Sequence, residues 1–178
     1  DGKGVVFNRK ASLRNTNFNI SGGKAYTAVL VFKKDTSHAV SWLIDSVDVS
    51  SGRNTVYSNS AGNITTYRRL GTEDDYRFNI ATNNGTSENV KDILIINFDG
   101  TNSSISAHSN TDSPGEFTDG NLGTGEMNGI TVGSLYNPDS RGRYGLEGMF
   151  YEIIYFDHIV TPAETTIIRN YLTTKWDI

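Results

Sequence analysis

The sequence predicts an all-β protein, a sandwich or barrel of short antiparallel strands that is closed by one α-helix at its C-terminus. Short apolar runs with strand-like alternation recur along the chain. Turn-forming residues, among them 18 glycines, separate these runs. Helix signals occur only in the last part of the chain. The length of 178 residues suits one domain, residues 1–178, with a hydrophobic core.

About ten strands are expected from this pattern. Tyr26–Phe32 and Asp92–Phe98 are apolar on both faces, so they are predicted to be central strands. In the last strand, we expect Phe150, Ile154 and Phe156 to share one face with Glu152. The remaining strands are predicted at residues 5–7, 40–44, 55–57, 64–70, 76–80, 103–108 and 129–135, and residues 109–129 are predicted to form a long loop.

The closing helix is predicted from its cap. Thr161 is placed to cap the helix, Pro162 fits the first helical position, and Glu164 stands three residues after the cap, which makes a capping box. Four apolar residues then share one helix face, and we expect this face to pack on the sheets. They are Ile167, Ile168, Tyr171 and Leu172.

Composition and charge exclude several classes of function. The net charge is −4 and the chain has no basic block, so nucleic acid is not an expected partner. Cysteine is absent, which excludes disulfides, thiolate chemistry and cysteine-bound zinc. The longest apolar runs are too short to span a bilayer, so membrane insertion is not expected either. The sequence starts in strand-like residues, as a mature product or an excised domain would.

The C-terminal segment LEGMFYEIIYFDHIVTPAETTIIRNYLTTKWDI resembles the closing segment of concanavalin A-like lectin/glucanase domains of the laminin G-like type. AYTAVLVFKKD, ILIINFDGTNSSISAHSN and GITVGSLYN are similar to earlier strands of the same family, although His158 and Val160 depart from its pattern. The positions that match the C-terminal pattern are Gly148, Phe150, Glu152, Ile153, Ile154, Tyr155, Thr161, Glu164, Tyr171, Leu172, Lys175, Trp176 and Ile178.

This resemblance implies a two-sheet antiparallel jelly-roll β-sandwich with a short C-terminal α-helix. It also implies a non-catalytic module that recognises a cell-surface carbohydrate, as part of a phage tail or fibre or of a bacterial extracellular adhesin. The expected location is therefore extracellular or on a virion surface. The alternative is a structural or assembly domain of a virion or fibre without a sugar site, and a fibre component would be a homotrimer.

Two stretches carry the mixture of aromatic, charged and amide side chains that sugar recognition uses. The preferred stretch is the loop LYNPDSRGRYG, residues 135–145, because loops carry function more readily than strands do. The other is ITTYRRLGTEDDYR, residues 64–77, with Trp42 on a neighbouring strand. The candidate ligand-binding residues are Tyr136, Asn137, Asp139, Arg141, Arg143, Tyr144, Trp42, Tyr67 and Arg69.

The sequence does not require a cofactor, and it leaves calcium binding open. Related domains often hold calcium at a sheet rim, and calcium prefers oxygen ligands from Asp, Asn and backbone carbonyls. Asp99, Asn102 and Asp139 are the metal candidates, followed by Asp112, Asp119 and Asn137. Their spacing is not diagnostic, and Asx residues in turns commonly hydrogen-bond to the backbone.

Some proteins on this fold cleave polysaccharides, so an enzyme is the third alternative. A retaining glycosidase needs two carboxylates about 5 Å apart. Glu147 and Glu152 are an odd number of residues apart, which predicts opposite faces on a regular strand. Glu152 is instead predicted to anchor a nearby loop or helix end, because a carboxylate on an apolar face needs a partner. No catalytic residue is assigned.

Overall fold

Two antiparallel sheets face each other in a computed structural model of the chain. The structure describes residues 3–35, 40–48, 52–59, 64–69, 77–79, 89–108, 125–135 and 144–178, with only the backbone described for residues 48, 67, 69, 77–79 and 101. The strands are β1 Val5–Asn8, β2 Leu13–Ile20, β3 Tyr26–Lys34, β4 Ser41–Asp48, β5 Arg53–Ser58, β6 Ile64–Arg69, β7 Arg77–Asn79, β8 Lys91–Phe98, β9 Ser104–Ala107, β10 Met127–Val132 and β11 Glu147–Phe156. One sheet has the order β1-β11-β3-β8-β9, and the other has the order β2-β10-β4-β5-β6-β7. This arrangement confirms the predicted antiparallel sandwich.

The hydrophobic core lies between the two sheets. Alternate residues of β3, among them Leu30 and Phe32, meet Val56 and Ile64 of the six-stranded sheet. Two buried hydrogen bonds tie the layers together at opposite ends. The Tyr26 hydroxyl donates to Oδ1 of Asn54 over 3.0 Å, and Nζ of Lys34 donates to Oγ of Ser58 over 3.2 Å. These polar groups are buried, so each bond fixes the sheets' relative position without leaving an unpaired donor.

A β-bulge in β11 changes the predicted faces of the last strand. Phe150 pairs with Phe32 and Glu152 pairs with Val31, so β11 holds one extra residue at this point. Phe150 therefore points into the core between the sheets, whereas Ile154 and Phe156 pack on the other face of the sheet. The prediction that these three side chains share a face was wrong, because a single inserted residue reverses the alternation.

The C-terminal helix, α1 Pro162–Trp176, covers the outer face of the five-stranded sheet. Its capping box is confirmed: Thr161 Oγ1 accepts from the Glu164 amide, and Glu164 Oε2 accepts from the Thr161 amide at 2.7 Å. At the other end, Glu152 Oε2 accepts from Nε1 of Trp176 over 2.8 Å, and its Oε1 accepts from Nζ of Lys175 over 2.9 Å. Glu152 thus anchors a helix end, as predicted.

The buried stripe of α1 differs from the predicted one. Leu172 is fully buried, and Ile168 and Trp176 pack beside it against Val29, Val31, Ile93 and Ile95 of the sheet. Ile167 and Tyr171, in contrast, are 67% and 53% exposed. Residues 168, 172 and 176 follow a strict spacing of four, and the bond between Trp176 and Glu152 selects this stripe. The neighbouring positions are therefore rotated towards solvent.

Strand β2 was not predicted from the sequence. It is the edge of the six-stranded sheet and pairs with β10 alone. Most of its side chains are exposed on both faces, and only Phe18 and Ile20 pack partly on the core. An edge strand of this kind lacks the apolar alternation from which strands are recognised. β10 also begins at Met127, within the segment predicted to be a loop.

Candidate ligand-binding site

An aromatic cluster lies on the outer face of the six-stranded sheet, at the end where β4 begins. We call it the Trp42 cluster: Trp42 and Leu135 are buried, and Val40, Tyr57 and Tyr144 pack against them half-buried. Trp42 pairs with Tyr57 across β4 and β5, and their rings are 4.7 Å apart and tilted by 32°. Both rings lie on the outer face because a bulge follows Trp42, which places Leu43 and Ile44 in the core.

A buried ion pair lies next to the Trp42 ring on the same face of the sheet. Arg53 on β5 donates through Nε and Nη2 to both carboxylate oxygens of Asp45 on β4, over 2.8 and 2.7 Å. The guanidinium carbon of Arg53 also lies 4.8 Å from the centre of the Trp42 ring. Both residues are almost inaccessible to solvent. A bidentate, desolvated pair of this kind holds the Arg53 guanidinium in one position, because separating the pair would leave a buried charge without a partner. The guanidinium in turn holds the Trp42 ring that it contacts.

The two ends of the preferred loop meet at this cluster. Leu135 is the first residue of the 135–145 stretch and Tyr144 is the last but one, and both pack against Trp42. Gly145 forms a parallel bridge with Trp42, and the Gly133 amide donates to the Leu43 carbonyl over 2.8 Å. The structure therefore brings Trp42 and Tyr144 together. The other candidates in this loop lie outside the described residues: Tyr136, Asn137, Asp139, Arg141 and Arg143.

Trp42 is 9% exposed, so its ring forms the base of the cluster and presents little free surface. Tyr57 and Tyr144 are half-buried and retain more exposure than Trp42 does. Sequence reasoning did not find Tyr57, Asp45 and Arg53 as parts of this site. The signal was available in the two-residue alternation of β5, which puts Arg53 and Tyr57 on the same face.

Strand β6 carries two further candidates, Tyr67 and Arg69, whose backbones pair with Thr55 and Arg53 of β5. Their side chains are not among those that the structure describes. Arg68, between them, belongs to the opposite face and points into the sandwich. Its guanidinium donates to the carbonyls of Gly125, Lys24 and Ser21 over 2.7, 2.8 and 3.2 Å.

The metal candidates do not come together with the Trp42 cluster. Asp99 and Asn102 lie in a 3-10 turn, Gly100–Asn102, between β8 and β9, at the end of β3 that begins with Tyr26. The cluster lies at the other end of β3, about 26 Å along a strand of this length. In the turn, Ser103 Oγ accepts from the Asp99 amide over 2.8 Å. Asp112, Asp119, Asn137 and Asp139 fall outside the described residues. Calcium binding stays a prediction.

Among the described side chains, no group of three His, Cys, Asp or Glu residues comes together as a metal site. Within the same parts of the chain, we find no helix long and apolar enough to cross a bilayer.

The two glutamates considered for glycosidase chemistry are well separated along β11, and the Glu152 carboxylate already has partners on α1. The bulge in β11 returns Glu147 and Glu152 to the same face, so the prediction of opposite faces was wrong. The Glu147 carbonyl accepts from the Asp35 amide, whereas Glu152 pairs with Val31. Four positions of β3, about 13 Å, separate them. Glycosidases place their two carboxyl groups roughly 5 to 9.5 Å apart, whereas the Glu152 carboxylate is bound to Trp176 and Lys175 at the end of α1.

Comparison with solved structures shows the concanavalin A-like jelly-roll fold, as the C-terminal segment predicts. No family model matches the chain, and no curated protein matches it. The chain is similar to the Ruminococcus gnavus IT-sialidase CBM40 bound to alpha2,3 sialyllactose, with a TM-score of 0.55, 12% identity and coverage of 88% of this chain and 97% of that one.

Two further structures share the fold. Domains LG4-5 of the mouse laminin alpha1 chain give a TM-score of 0.62 at 12% identity, over 86% of this chain and 41% of that one. Botulinum neurotoxin type C, which depends on interaction with two ganglioside molecules to enter cells, gives a TM-score of 0.56 at 13% identity, over 84% of this chain and 36% of that one. At such identities the likeness establishes the fold alone.

Proposed function

We propose that the chain is a non-catalytic module that binds a cell-surface carbohydrate at the Trp42 cluster. The observation that carries the proposal is the meeting of the two ends of the 135–145 stretch, at Leu135 and Tyr144, on the outer face of the sheet. In this proposal the aromatic, amide and arginine residues of the stretch form the binding site together with this surface. Tyr57 and Tyr144 supply aromatic surface, on which the apolar face of a pyranose stacks.

Each part of the site has a distinct role in this proposal. Trp42 and the pair of Arg53 with Asp45 form a rigid base, so that little ordering entropy is lost on binding. Tyr136 and Tyr144 contact the sugar ring. Four polar residues of the loop hydrogen-bond to sugar hydroxyls: Asn137, Asp139, Arg141 and Arg143. Tyr67 and Arg69, on the same sheet two strands from β4, extend the site to a second sugar residue.

The structural neighbours support carbohydrate as the ligand class. One of them is bound to alpha2,3 sialyllactose and another depends on gangliosides, and both have this fold. An extracellular position, as part of a bacterial adhesin or a phage fibre, is the setting in which such a module meets a surface glycan. The arginines of the loop make acidic glycans the preferred group within this class.

A glycan array with the purified chain, with and without calcium, tests the proposal. We expect binding to a small related set of glycans, and its loss in a variant carrying Tyr136→Ala and Tyr144→Ala. Tyr171→Ala is the matched control, because Tyr171 is an exposed tyrosine on α1, which packs on the other sheet. Binding that survives both loop changes would place the site elsewhere, and an array without any binding would contradict the function.

An assembly role is the second candidate, and exposed aliphatic side chains favour it. Val5 and Val6 on β1 are 47% and 66% exposed, and Leu13 on β2 is 50% exposed. Both strands are edges of their sheets, where backbone groups are open to pairing with another copy. Light scattering separates the candidates: a stable trimer without glycan binding supports assembly, and a monomer that binds glycan supports recognition.

A further inference from the structure

A groove lies at the end of the sandwich opposite the Trp42 cluster. It has a volume of about 220 Å³ and runs between β2, the turn after it and the last residues of β11. We call it the Phe18–Tyr155 groove, after the two rings that line it, and its rim carries Asn19, Lys24 and Asp157. The candidate residues named from the sequence do not include any of these five side chains.

The groove exists because β1 is short. β1 pairs with only the first four residues of β11, Glu147 to Phe150. Beyond that point, the side of β11 that faces away from β3 has no strand partner among the described residues. The facing edge of the other sheet is β2, whose Phe18 turns inward. The two sheets therefore leave an opening where a longer β1 would have closed the sandwich.

The walls of the groove are aromatic. The rings of Phe18 and Tyr155 are 4.8 Å apart and tilted by 52°, so together they form an angled surface. Tyr26 lies behind them, 6.1 Å from Tyr155, and stacks on Phe98 at 4.4 Å. The Tyr155 hydroxyl is buried and has no hydrogen-bond partner among the described residues, and burial raises its pKa. The ring face of Tyr155, and not its hydroxyl, is thus what the groove presents.

The rim carries one donor, one acceptor and one amide. Nζ of Lys24 lies 3.8 Å from Oδ2 of Asp157, and both side chains are exposed. A hydrogen bond from His158 and the Lys24 charge lower the pKa of Asp157, which keeps this carboxylate ionised. Nδ2 of Asn19 donates to Asn128 over 2.6 Å, which leaves its carbonyl oxygen as an acceptor. The charges of Lys24 and Asp157 cancel, so the rim as a whole is neutral.

The rim is held in place from inside the fold. The three carbonyls that Arg68 binds include those of Ser21 and Lys24, which belong to the turn between β2 and β3. The guanidinium also lies 5.4 Å from the centre of the Tyr26 ring. A turn fixed by a buried arginine needs little rearrangement to receive a ligand, so the groove is preformed.

We propose that the Phe18–Tyr155 groove is a separate binding site for one uncharged pyranose residue. The angled aromatic walls fit the apolar face of a sugar ring. An ammonium and a carboxylate 3.8 Å apart can donate to and accept from adjacent hydroxyls of the same ring. The volume of about 220 Å³ lies below the roughly 300 to 1,000 Å³ of sites for drug-sized ligands, as suits a single sugar residue. A neutral rim favours a neutral sugar over an acidic one.

This inference does not depend on the site at the Trp42 cluster, and the experiment keeps the two apart. The variant with Tyr136→Ala and Tyr144→Ala is titrated with glucose, galactose and mannose, and backbone amides are followed by NMR. We expect shifts at the amides of Phe18, Ser21 and Asp157, and little effect of added salt. N-acetylneuraminic acid, which is anionic, is expected to bind this groove more weakly than the neutral hexoses.

Two rim variants, Lys24→Ala and Asp157→Ala, complete the test. Both side chains are exposed, so the fold is retained, and each change is expected to weaken hexose binding about tenfold by removing one charge-assisted hydrogen bond. Lys10→Ala is the matched control, since Lys10 is exposed on the loop between β1 and β2. The inference is overturned if none of the three hexoses shifts the groove amides, or if both rim variants keep the parent affinity.

Discussion

Removing the Glu152 carboxylate is expected to weaken the attachment of α1 to the five-stranded sheet. In Glu152→Ala, Trp176 loses a charge-assisted hydrogen bond of 2.8 Å and Lys175 loses one of 2.9 Å. The first is partly buried, and such a bond contributes about 1.5 to 3 kcal/mol. The second is exposed to solvent, so it contributes little. The free energy of unfolding should therefore fall by about 1.5 to 3 kcal/mol, almost all of it from the bond to Trp176.

Urea denaturation, followed by tryptophan fluorescence, measures this loss. Trp176→Phe keeps the ring in the cluster with Tyr151 but deletes the donor, so the double variant gives the coupling between Glu152 and Trp176. We expect a coupling of about 1.5 kcal/mol or more. Lys175→Ala is the control and should lower the free energy of unfolding clearly less than Glu152→Ala does, because its contact is exposed to solvent. A loss in Glu152→Ala below about 0.5 kcal/mol, or one matched by Lys175→Ala, would refute the reasoning.

Three further changes probe the interior and the helix cap. Asp45→Asn leaves the charge of Arg53 buried without its carboxylate and should lower the free energy of unfolding by about 3 to 5 kcal/mol, as measured in urea. Arg68→Met removes three hydrogen bonds to carbonyls and should cost at least about 3 kcal/mol by the same assay; an unchanged midpoint would contradict the role of Arg68. The pKa of Glu164 is lowered by hydrogen bonds from Thr161, so its contribution is present at neutral pH and is lost as pH falls through the lowered pKa. Glu164→Gln should accordingly be less stable than the parent at pH 7 and differ less from it at pH 3, in unfolding curves at both values.

The parts of the fold that local sequence determines were predictable. The capping box needs only Thr161, Pro162 and Glu164, which lie next to one another in the chain. The central strands were recognisable because β3 and β8 are buried on both faces. The anchoring role of Glu152 was also predictable, because a carboxylate among apolar residues requires a hydrogen-bonding partner.

Features set by register were not predictable. The bulge after Phe150 inserts one residue, and nothing in the local sequence marks it. It reverses the faces of Ile154 and Phe156 relative to Phe150. Strand β2 owes its existence to pairing with β10, because its own residues are mostly polar. The Phe18–Tyr155 groove depends on where β1 ends, which no local pattern specifies.

The candidate site was predictable in part. Trp42 and Tyr144 were chosen for their residue type, and the structure brings them into contact through the bridge between Trp42 and Gly145. The ion pair of Arg53 with Asp45, which lies next to the Trp42 ring, was not predicted from the sequence. It forms across neighbouring strands, and a bulge in β4 determines that Asp45 lies on the outer face. Sequence therefore indicated the aromatic surface but not the ion pair that supports it.

The central claim is that a surface glycan binds at the Trp42 cluster, where the two ends of the 135–145 stretch meet. Calorimetric titration of the strongest array ligand into three proteins tests it most directly: the parent, the variant with Tyr136→Ala and Tyr144→Ala, and Tyr171→Ala. We predict that the double variant loses at least about tenfold in affinity, which corresponds to 1.4 kcal/mol, while Tyr171→Ala binds as the parent does. Equal affinity in all three proteins would contradict the claim.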